Sequence, residues 1–373
     1  MHLVVTVVGI LLIAIVLWEA FETLVLPRRV SRRVRLTRFY FRFSWNVWKS
    51  IGRNRSGPLK ESYLGVYAPL SLLWLFAWWA AGVAVGFALV AWGVHEPLAV
   101  YGTPRFGTYL YFSATTFVTL GLGDVTPASA LGRLLTALEA GMGFAFLALA
   151  ISYLPVMYQA FSRREARISM LDQWAGSPPS GVELLRRAAQ HGEIASVEGI
   201  LSDWEAWSAE FLESHLSYPI LAYFRSQHER ESWLAALTAI LDTSALVLAG
   251  VEGVSRWQAK RTFAMARHAV VDLAQVLYTG IDAGAPPRLP EGGEAALRAR
   301  LEVAGVRLDP STEVHLAAFR RMYEPYVAAL SRRLVMPVQV LVPDGAELDA
   351  WQTSPWSLPD RAGRERPEGQ PPG

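Results

Sequence analysis

The chain has 373 residues, a formal net charge of +2 and no cysteine. Charged residues make up 18% of it and hydrophobic residues 52%; a soluble domain usually carries about a quarter charged residues, so the composition indicates a membrane protein. The missing cysteine excludes disulfides, thiolate metal sites and cysteine nucleophiles, and the small net charge gives no indication of a nucleic-acid partner.

The first predicted element is a membrane helix over residues 1–27, built on the apolar run Leu3–Trp18. A secretory signal peptide is the alternative, but no basic segment precedes the run and no small-residue cleavage site follows it. Lysines and arginines then dominate Pro27–Glu61, which the positive-inside rule places in the cytoplasm. We therefore predict a retained anchor whose N-terminus lies outside the cell.

The second predicted element is the segment 28–65, in which aromatic and basic residues alternate. The aromatic residues that interleave with the arginines are Phe39, Tyr40, Phe41, Phe43, Trp45 and Trp48. The pattern predicts a helix in the lipid headgroup interface, with the rings toward the lipid and the guanidinium groups toward water. Nucleic-acid binding is the other use of such a mixture, and it is disfavoured because membrane spans flank the segment on both sides.

Two further spans are predicted at Tyr67–Gly93 and Leu131–Phe161, inside a module covering 66–166. Arginines directly after the last span place its end in the cytoplasm. Trp233–Val254 is also apolar, but Asp242 at mid-membrane would cost about 2.5–3.5 kcal/mol, and basic residues would follow on the outer side. We interpret this stretch as the buried core helix of a soluble domain.

The segment between these two spans reads T-L-G-L-G-D at Thr119–Asp124, after a predicted helix near Phe106–Val118. Irregular backbone at membrane depth is tolerated only where protein or water surrounds it. Gly121 and Gly123 can adopt positive φ at little cost. Alternating handedness would then turn successive carbonyls the same way, so that several chains around an axis could coordinate a dehydrated cation.

Ser113–Pro127, which reads S-A-T-T-F-V-T-L-G-L-G-D-V-T-P, resembles the pore loop of the potassium-channel superfamily, in its bacterial single-pore-loop branch. The resemblance covers about Tyr67–Phe161. It implies an all-α membrane protein with an outer helix, pore helix, filter and inner helix, here joined to the N-terminal membrane helix and an all-α cytosolic domain. The K⁺ sites that it implies are the carbonyls of Thr119, Leu120, Gly121, Leu122 and Gly123, with the Thr119 hydroxyl.

The same resemblance implies that Asp124 supports the filter from behind. Leu122 stands where the family most often has Tyr, and Phe112 stands where it has the Trp that anchors this Tyr. Thr115 replaces a pore-helix Glu that often pairs with the filter Asp, and Tyr111, one turn earlier, is an alternative partner for Asp124. We expect an intact but less rigid filter.

The inner helix contains three residues that the resemblance links to gating. Gly143 falls at the hinge glycine, and Ser152 and Pro155 fall near the lower cavity and the crossing of the inner helices. A Pro inside a helix frees a carbonyl and bends the helix, whereas Gly143 could equally serve close helix packing. Glu139 either forms a cation-concentrating ring or lies protonated or hydrogen-bonded behind the pore helix; we favour the second interpretation.

The cytosolic half is predicted to be an all-α domain over 167–352, which contains a Pro/Gly linker at Gly176–Gly181 and is followed by a disordered tail at 353–373. A short strand is possible at Met336–Val342. Neither a dinucleotide, phosphate, zinc nor calcium motif occurs in it. The amphipathic stretches are Val182–His191, Ile194–His215, Trp233–Gly250, Trp257–Tyr278, Glu294–Ala304 and Val314–Val335.

Together these features predict a homotetramer in the inner membrane that conducts K⁺ passively, with a cytoplasmic C-terminus. We expect no enzyme activity, no cofactor and no nucleic acid; the expected partners are the lipid bilayer and other copies of the chain. A cytosolic ligand and a gating stimulus are not identified. The alternatives are a weakly selective monovalent cation channel and a non-conducting membrane sensor with a vestigial pore.

Overall fold

The computed structural model describes residues 2–26, 36–226 and 230–342 and is almost entirely helical. The chain forms two compact units. We call Met1–Arg163 with Leu212–Arg225 the membrane unit, and we call Arg164–Phe211 with the chain from Ser226 onward the cytosolic unit, a name taken from the location that the sequence predicts. The predicted disordered tail and the arginines of 27–35 lie outside the described residues.

Three helices of the described chain are long and apolar enough to cross a membrane: α1 (His2–Leu24), α3 (Gly57–Gly93) and α5 (Ala130–Ala175). The prediction of an all-α membrane protein is confirmed. Two of the helices are longer than predicted, because α3 begins ten residues before Tyr67 and α5 continues past Phe161. Pro155 does not end α5, and the division between the two units falls inside this helix.

Glycines allow α1 and α3 to pack closely. A Cβ atom placed on Gly9 would lie 2.7 Å from the Gly86 carbonyl oxygen, and one on Gly82 would lie 2.9 Å from Val16. Small residues at such positions let membrane helices approach until their backbones touch, which is a main source of attraction between helices in lipid. The N-terminal helix is therefore a packed part of the membrane unit.

The aromatic–basic segment forms α2 (Leu36–Ile51), and its start is held by a carboxylate of α1. Glu19 is buried and accepts hydrogen bonds from the backbone N–H groups of Leu36 and Thr37, both at 3.1 Å, and from the Thr37 hydroxyl at 2.8 Å. The first N–H groups of a helix have no partner within it, and the positive end of its dipole attracts an anion. The Glu19 carboxylate therefore provides both the hydrogen-bond acceptors and the negative charge that the start of α2 lacks.

The aromatic rings of α2 are not all directed to the lipid, which corrects the sequence prediction. Phe39 and Phe43 are exposed, as a lipid-facing stripe requires. Trp45 is fully buried, and the Trp48 ring stacks on Tyr63 with the centroids 4.7 Å apart. The two tryptophans therefore anchor α2 to the membrane unit.

A short helix, α4 (Phe106–Phe117), lies between α3 and α5 in sequence and packs on α3. Two short strands, β1 (Leu98–Ala99) and β2 (Thr126–Pro127), pair antiparallel, with Leu98 opposite Pro127. They bring the end of α3 and the start of α5 together around the segment 118–125. Neither strand was predicted from the sequence.

The cytosolic unit is a helical bundle around α8, every residue of which is buried. The interpretation of this apolar stretch as a core helix is confirmed. Its helices are α6 (Gly181–Gln190), α7 (Val197–Ser217, whose last residues belong to the membrane unit), α8 (Trp233–Ala249), α9 (Arg256–Val276), α10 (Gly293–Val303), α11 (Thr312–Arg320) and α12 (Glu324–Leu334).

Three local expectations in this unit differ from the structure. The stretch Val314–Val335 is two helices, because Pro325 begins a new one at α12. Met336–Val342 contains no strand. Gly176–Gly181 was predicted to be a linker and is a largely buried turn between α5 and α6. Its Ser180 caps α6, because the Ser180 hydroxyl oxygen accepts a hydrogen bond from the Glu183 N–H.

Candidate functional site

The segment Thr119–Asp124 begins where α4 ends, and the end of this helix has a specific hydrogen-bonded form. The Thr119 N–H donates to the Thr116 carbonyl at 2.9 Å, and the Leu120 N–H donates to the Thr115 carbonyl at 2.8 Å. This pair of bonds around a left-handed residue is the Schellman motif, which normally uses glycine. Here Thr119 takes the left-handed position with φ of 57°.

A β-branched residue in this conformation is strained by about 1–2 kcal/mol. The strain is informative because strained backbone persists only where its surroundings impose it, and such positions cluster at functional sites. Because Thr119 is not helical, its carbonyl belongs to the segment that follows α4.

Positive φ recurs at every second residue of this segment. Gly121 has φ of 53° and Gly123 has φ of 79°, after 57° at Thr119. Neither glycine is needed for space, since a Cβ atom on either would meet nothing within 4 Å in the single chain. Both are needed for conformation, because only glycine adopts positive φ without cost. This alternation is the one that the sequence analysis associated with aligned carbonyls.

One hydrogen bond connects α4 to the end of this segment. The Tyr111 hydroxyl donates to the Asp124 carboxylate at 2.9 Å, the pairing that was considered as an alternative. Thr115 does not take part, because its hydroxyl faces carbonyls within α4; the hydroxyl oxygen lies 3.0 Å from the Tyr111 carbonyl oxygen and 2.9 Å from that of Phe112. Phe112 itself is half-buried. Within the described residues, Asp124 is thus supported by a single polar contact.

Glu139 lies behind α4 and is buried, with its carboxyl against the Ser113 hydroxyl. The same hydroxyl lies 2.6 Å from the Ala84 carbonyl oxygen. A serine has one hydrogen to donate, so it cannot serve both oxygens. A protonated Glu139 carboxyl would supply the second hydrogen and would link α5 to α4 and α3 without an ion in the membrane.

Gly143 is the point of closest approach between α5 and the end of α4. A Cβ atom there would overlap the Phe117 carbonyl oxygen, so no other residue fits without a backbone shift. This contact gives Gly143 a packing role, and its role as a hinge stays a prediction. Ser152 and Pro155 are exposed on the far part of α5, and the Ser152 hydroxyl donates to the Leu149 carbonyl at 3.0 Å.

Glu96 is a supporting residue that the sequence analysis missed. It is buried, and its carboxylate accepts from the Ser129 N–H at 3.1 Å and from the Ser129 hydroxyl at 2.6 Å. Its own carbonyl accepts from the Tyr109 hydroxyl at 2.8 Å. Glu96 therefore ties α3, α4 and the start of α5 together. Glu96 lies one residue before Pro97 in the loop between α3 and α4, and no recognisable motif in the sequence marks it.

The site is open on one side in the single chain. Thr119–Asp124 is exposed throughout. Of the most apolar stretch of α5 only 11% of residues are buried, against 50% for α3. Both features leave apolar and backbone groups without protein neighbours within the described chain.

Comparisons with known proteins agree with this geometry. Residues 73–160 match a family described as ion channel. The chain is also similar to an uncharacterized membrane protein, YdjJ, of Bacillus subtilis (strain 168), with 23% identity over 210 residues. That match covers 54% of this chain and 58% of the relative, so the chain spans well under two thirds of the relative's length. No solved structure matches.

The resemblance deduced from the pore-loop residues is thus confirmed: an ion channel domain occupies residues 73–160 of a membrane protein. The matched range contains α4, the segment Thr119–Asp124, Glu139 and Gly143. It ends fifteen residues before α5 does. The N-terminal helix, α2 and the whole cytosolic unit lie outside it.

Proposed function

We propose that four copies of this chain form a potassium-selective channel, in which the carbonyls of Thr119–Gly123 replace the hydration shell of K⁺. The observation that carries this proposal is the alternation of positive φ at Thr119, Gly121 and Gly123, directly after a helix that ends in a Schellman motif. A segment of this kind within an ion channel domain has the backbone that a carbonyl filter requires. An ion channel family also indicates transport rather than catalysis.

The exposure of the filter and of α5 supports the assembly of several copies. A filter on an axis needs carbonyls from all sides, and one chain supplies one side. Identical chains close such a ring by rotational symmetry, and α5 has an apolar face left over for the neighbouring copies. Four copies follow from the resemblance to single-pore-loop channels.

The electrostatics of α4 favour a cation over an anion. Its C-terminal end, the negative end of the helix dipole, precedes the filter directly. No lysine or arginine occurs between Phe106 and Gly132. A permeating K⁺ would thus meet carbonyl oxygens and the helix end, with the Asp124 carboxylate behind the filter.

The proposed orientation places the N-terminus of α1 outside and the C-terminal half in the cytoplasm of a cell with this protein in its inner membrane. The basic residues of Pro27–Glu61 and those after α5 support this orientation. We place the gate on α5 near Ser152 and Pro155, because a proline within a helix is a preferred bending point. The signal that the cytosolic unit would transmit is not identified.

The decisive test is K⁺ flux into liposomes that contain the purified protein, with Ba²⁺ as a pore blocker. Gly121→Ala should abolish the flux, because alanine resists the positive φ of this position. Gly141→Ala is the matched control, since Gly141 lies within α5 and has open space around its Cβ position. Equal flux in both variants would refute conduction through this segment.

The alternative of a weakly selective cation channel follows from the limited support of the filter. Leu122 and Phe112 share no hydrogen bond, and Tyr111–Asp124 is an exposed contact. Reversal potentials in K⁺/Na⁺ mixtures separate the two channels, because only a selective pore follows the K⁺ gradient. A non-conducting sensor would give no Ba²⁺-sensitive flux with the native protein.

A further inference from the structure

Leu212–Arg225 is grouped with the membrane helices, although the chain on either side of it belongs to the cytosolic unit. We call this segment the strap. It consists of the last residues of α7 and a 3-10 turn at Pro219–Tyr223. The five residues Ile220–Phe224 are all buried. An ordinary connecting loop is exposed and polar, so the strap is a packed element.

The strap contacts α5 on both sides of Pro155. The Tyr218 ring meets the Tyr153 ring edge-on with the centroids 5.2 Å apart. The Phe224 ring lies 5.8 Å from Tyr158 and 5.3 Å from Phe161. These distances are typical of attractive aromatic pairs. The part of α5 that can bend at its proline is therefore held above and below the bend.

The other side of the strap contacts α2 and α3. The Tyr223 ring lies 5.1 Å from Trp45 and 5.5 Å from Tyr67. The Arg225 guanidinium forms an ion pair with Glu61 at 3.3 Å, and only 9% of the Arg225 side chain is exposed. The strap thus links the far part of α5 to the cytoplasmic ends of two other helices of the same chain.

We infer that the strap couples the cytosolic unit to the gate by tying α5 to α2 and α3 of its own chain, an inference that rests on the proposed channel function. Because both ends of the strap continue into the cytosolic unit, a rearrangement there acts on it directly. While docked, it holds α5 against its own chain and away from the α5 helices of the neighbouring copies. The docked strap therefore stabilises the conducting arrangement, and its release allows α5 to bend inward at Pro155.

One position allows the docked strap to be locked. A Cβ atom on Gly65 of α3 would lie 3.8 Å from the Arg225 Cβ atom, and disulfides have a mean Cβ–Cβ distance of about 3.8 Å. The native chain has no cysteine. A Gly65→Cys/Arg225→Cys variant would thus form one disulfide, which thiol labelling can quantify independently of ion flux.

With the disulfide formed, K⁺ flux should rise about fivefold or more over the same variant in dithiothreitol, which is the low end of typical couplings between sites. The two single-cysteine variants should not respond to oxidation. Complete disulfide formation without a rise in flux overturns the inference. Failure of the two thiols to combine overturns it as well, because the strap would then not be docked.

A second measurement needs no flux. Nitroxides attached at Ser152→Cys report the separation of α5 helices in the assembled protein. Tyr218→Ala should shorten this separation, and Tyr101→Ala, which alters a fully exposed outer-loop tyrosine, should leave it unchanged. An unchanged separation in Tyr218→Ala overturns the inference. If no variant conducts, the channel proposal fails, and the nitroxide distances still decide whether the strap positions α5.

Discussion

Three buried carboxyl groups of the membrane unit and the buried Asp242 of the cytosolic unit are satisfied in different ways. In the membrane unit, Glu19, Glu96 and Glu139 are buried and hydrogen-bonded to backbone N–H groups or to hydroxyls. The partners are Leu36 and Thr37 for Glu19, Ser129 for Glu96, and Ser113 for Glu139.

In the cytosolic unit, an arginine takes this role for Asp242. Asp242 is buried at the centre of α8, and both of its oxygens accept from the Arg288 guanidinium, at 2.9 and 2.6 Å. The Tyr323 hydroxyl donates to the same carboxylate. Arg288 also donates to the Gln339 carbonyl at 2.8 Å, so the pair holds the chain after α12 against the bundle.

The difference reflects the surroundings of each unit. An arginine paired inside a membrane must be desolvated together with its partner, and the cost for each ion is several kcal/mol. Hydroxyl and backbone donors satisfy a carboxyl without a second ion. The cytosolic bundle can recover the cost through a two-pronged, charge-assisted pair. Neutralising a buried carboxylate should therefore lower stability strongly at Asp242 and hardly at all at Glu139.

The largest effect is expected from Asp242→Asn. The change leaves Arg288 with the more distant Glu324 carboxylate, at 3.8 Å, as its anion, and removal of the hydrogen-bonded partner of a buried ion pair costs about 3–5 kcal/mol. Denaturant unfolding of the full chain, followed by tryptophan fluorescence, measures this loss. Asp203→Asn, at an exposed pair with Arg167, is the control and should be nearly neutral. A loss no greater than that of the control would show that Asp242 is not held by its charge.

An intermediate effect on stability is expected when the pH is lowered far enough to protonate Glu183. Burial raises the pKa of its carboxyl, but hydrogen bonds from Arg186 and Arg187 outweigh burial and lower the pKa to about 2. The unfolded chain binds this proton near the ordinary value of 4.5, so the carboxylate stabilises the fold above that pH. The stability should fall as the pH drops from 4.5 toward 2.

Glu183→Gln isolates this contribution, because it removes one titrating group and leaves the others. The free energy of unfolding of the variant should depend less steeply on pH over the same range. Parallel curves for the native protein and the variant would mean that the arginines do not stabilise the charged form of Glu183.

The smallest effect is expected from Glu139→Gln, the same isosteric change in the membrane unit. A glutamine amide can donate to Ser113 as the protonated carboxyl does, so no orphaned charge is created. Stability should change by less than about 0.5 kcal/mol, and K⁺ flux should persist. A loss comparable to that of Asp242→Asn would show that Glu139 carries a charge in the folded protein.

The sequence was sufficient for features that depend on local pattern. The apolar runs of α1, α3 and α5, the irregular segment Thr119–Asp124 and the apolar core helix α8 were all deduced from composition, periodicity or motif. The irregular backbone after α4 also has a local origin, because Gly121 and Gly123 permit positive φ. Tyr111 could be considered as a partner of Asp124 because it lies one helical turn before Thr115.

The features that the sequence did not reveal depend on contacts between distant parts of the chain. Glu19 is seventeen residues from Leu36, and Arg288 is forty-six residues from Asp242. In the sequence, the strap looks like an ordinary apolar helix end followed by a turn. Only the folded structure shows that Tyr153, Tyr67 and Trp45 contact it. Trp45 and Trp48 follow the pattern of lipid-facing rings, and only their neighbours decide that they are buried.

The sequence by itself thus determined which segments are apolar enough to span a membrane and where the backbone between them must be irregular. Only the tertiary structure decided which polar groups meet, and which face of each helix is covered by protein. The physical reason is that hydrophobicity and conformational preference belong to single residues and short periods, whereas hydrogen bonds and packing require a partner whose position the fold alone defines.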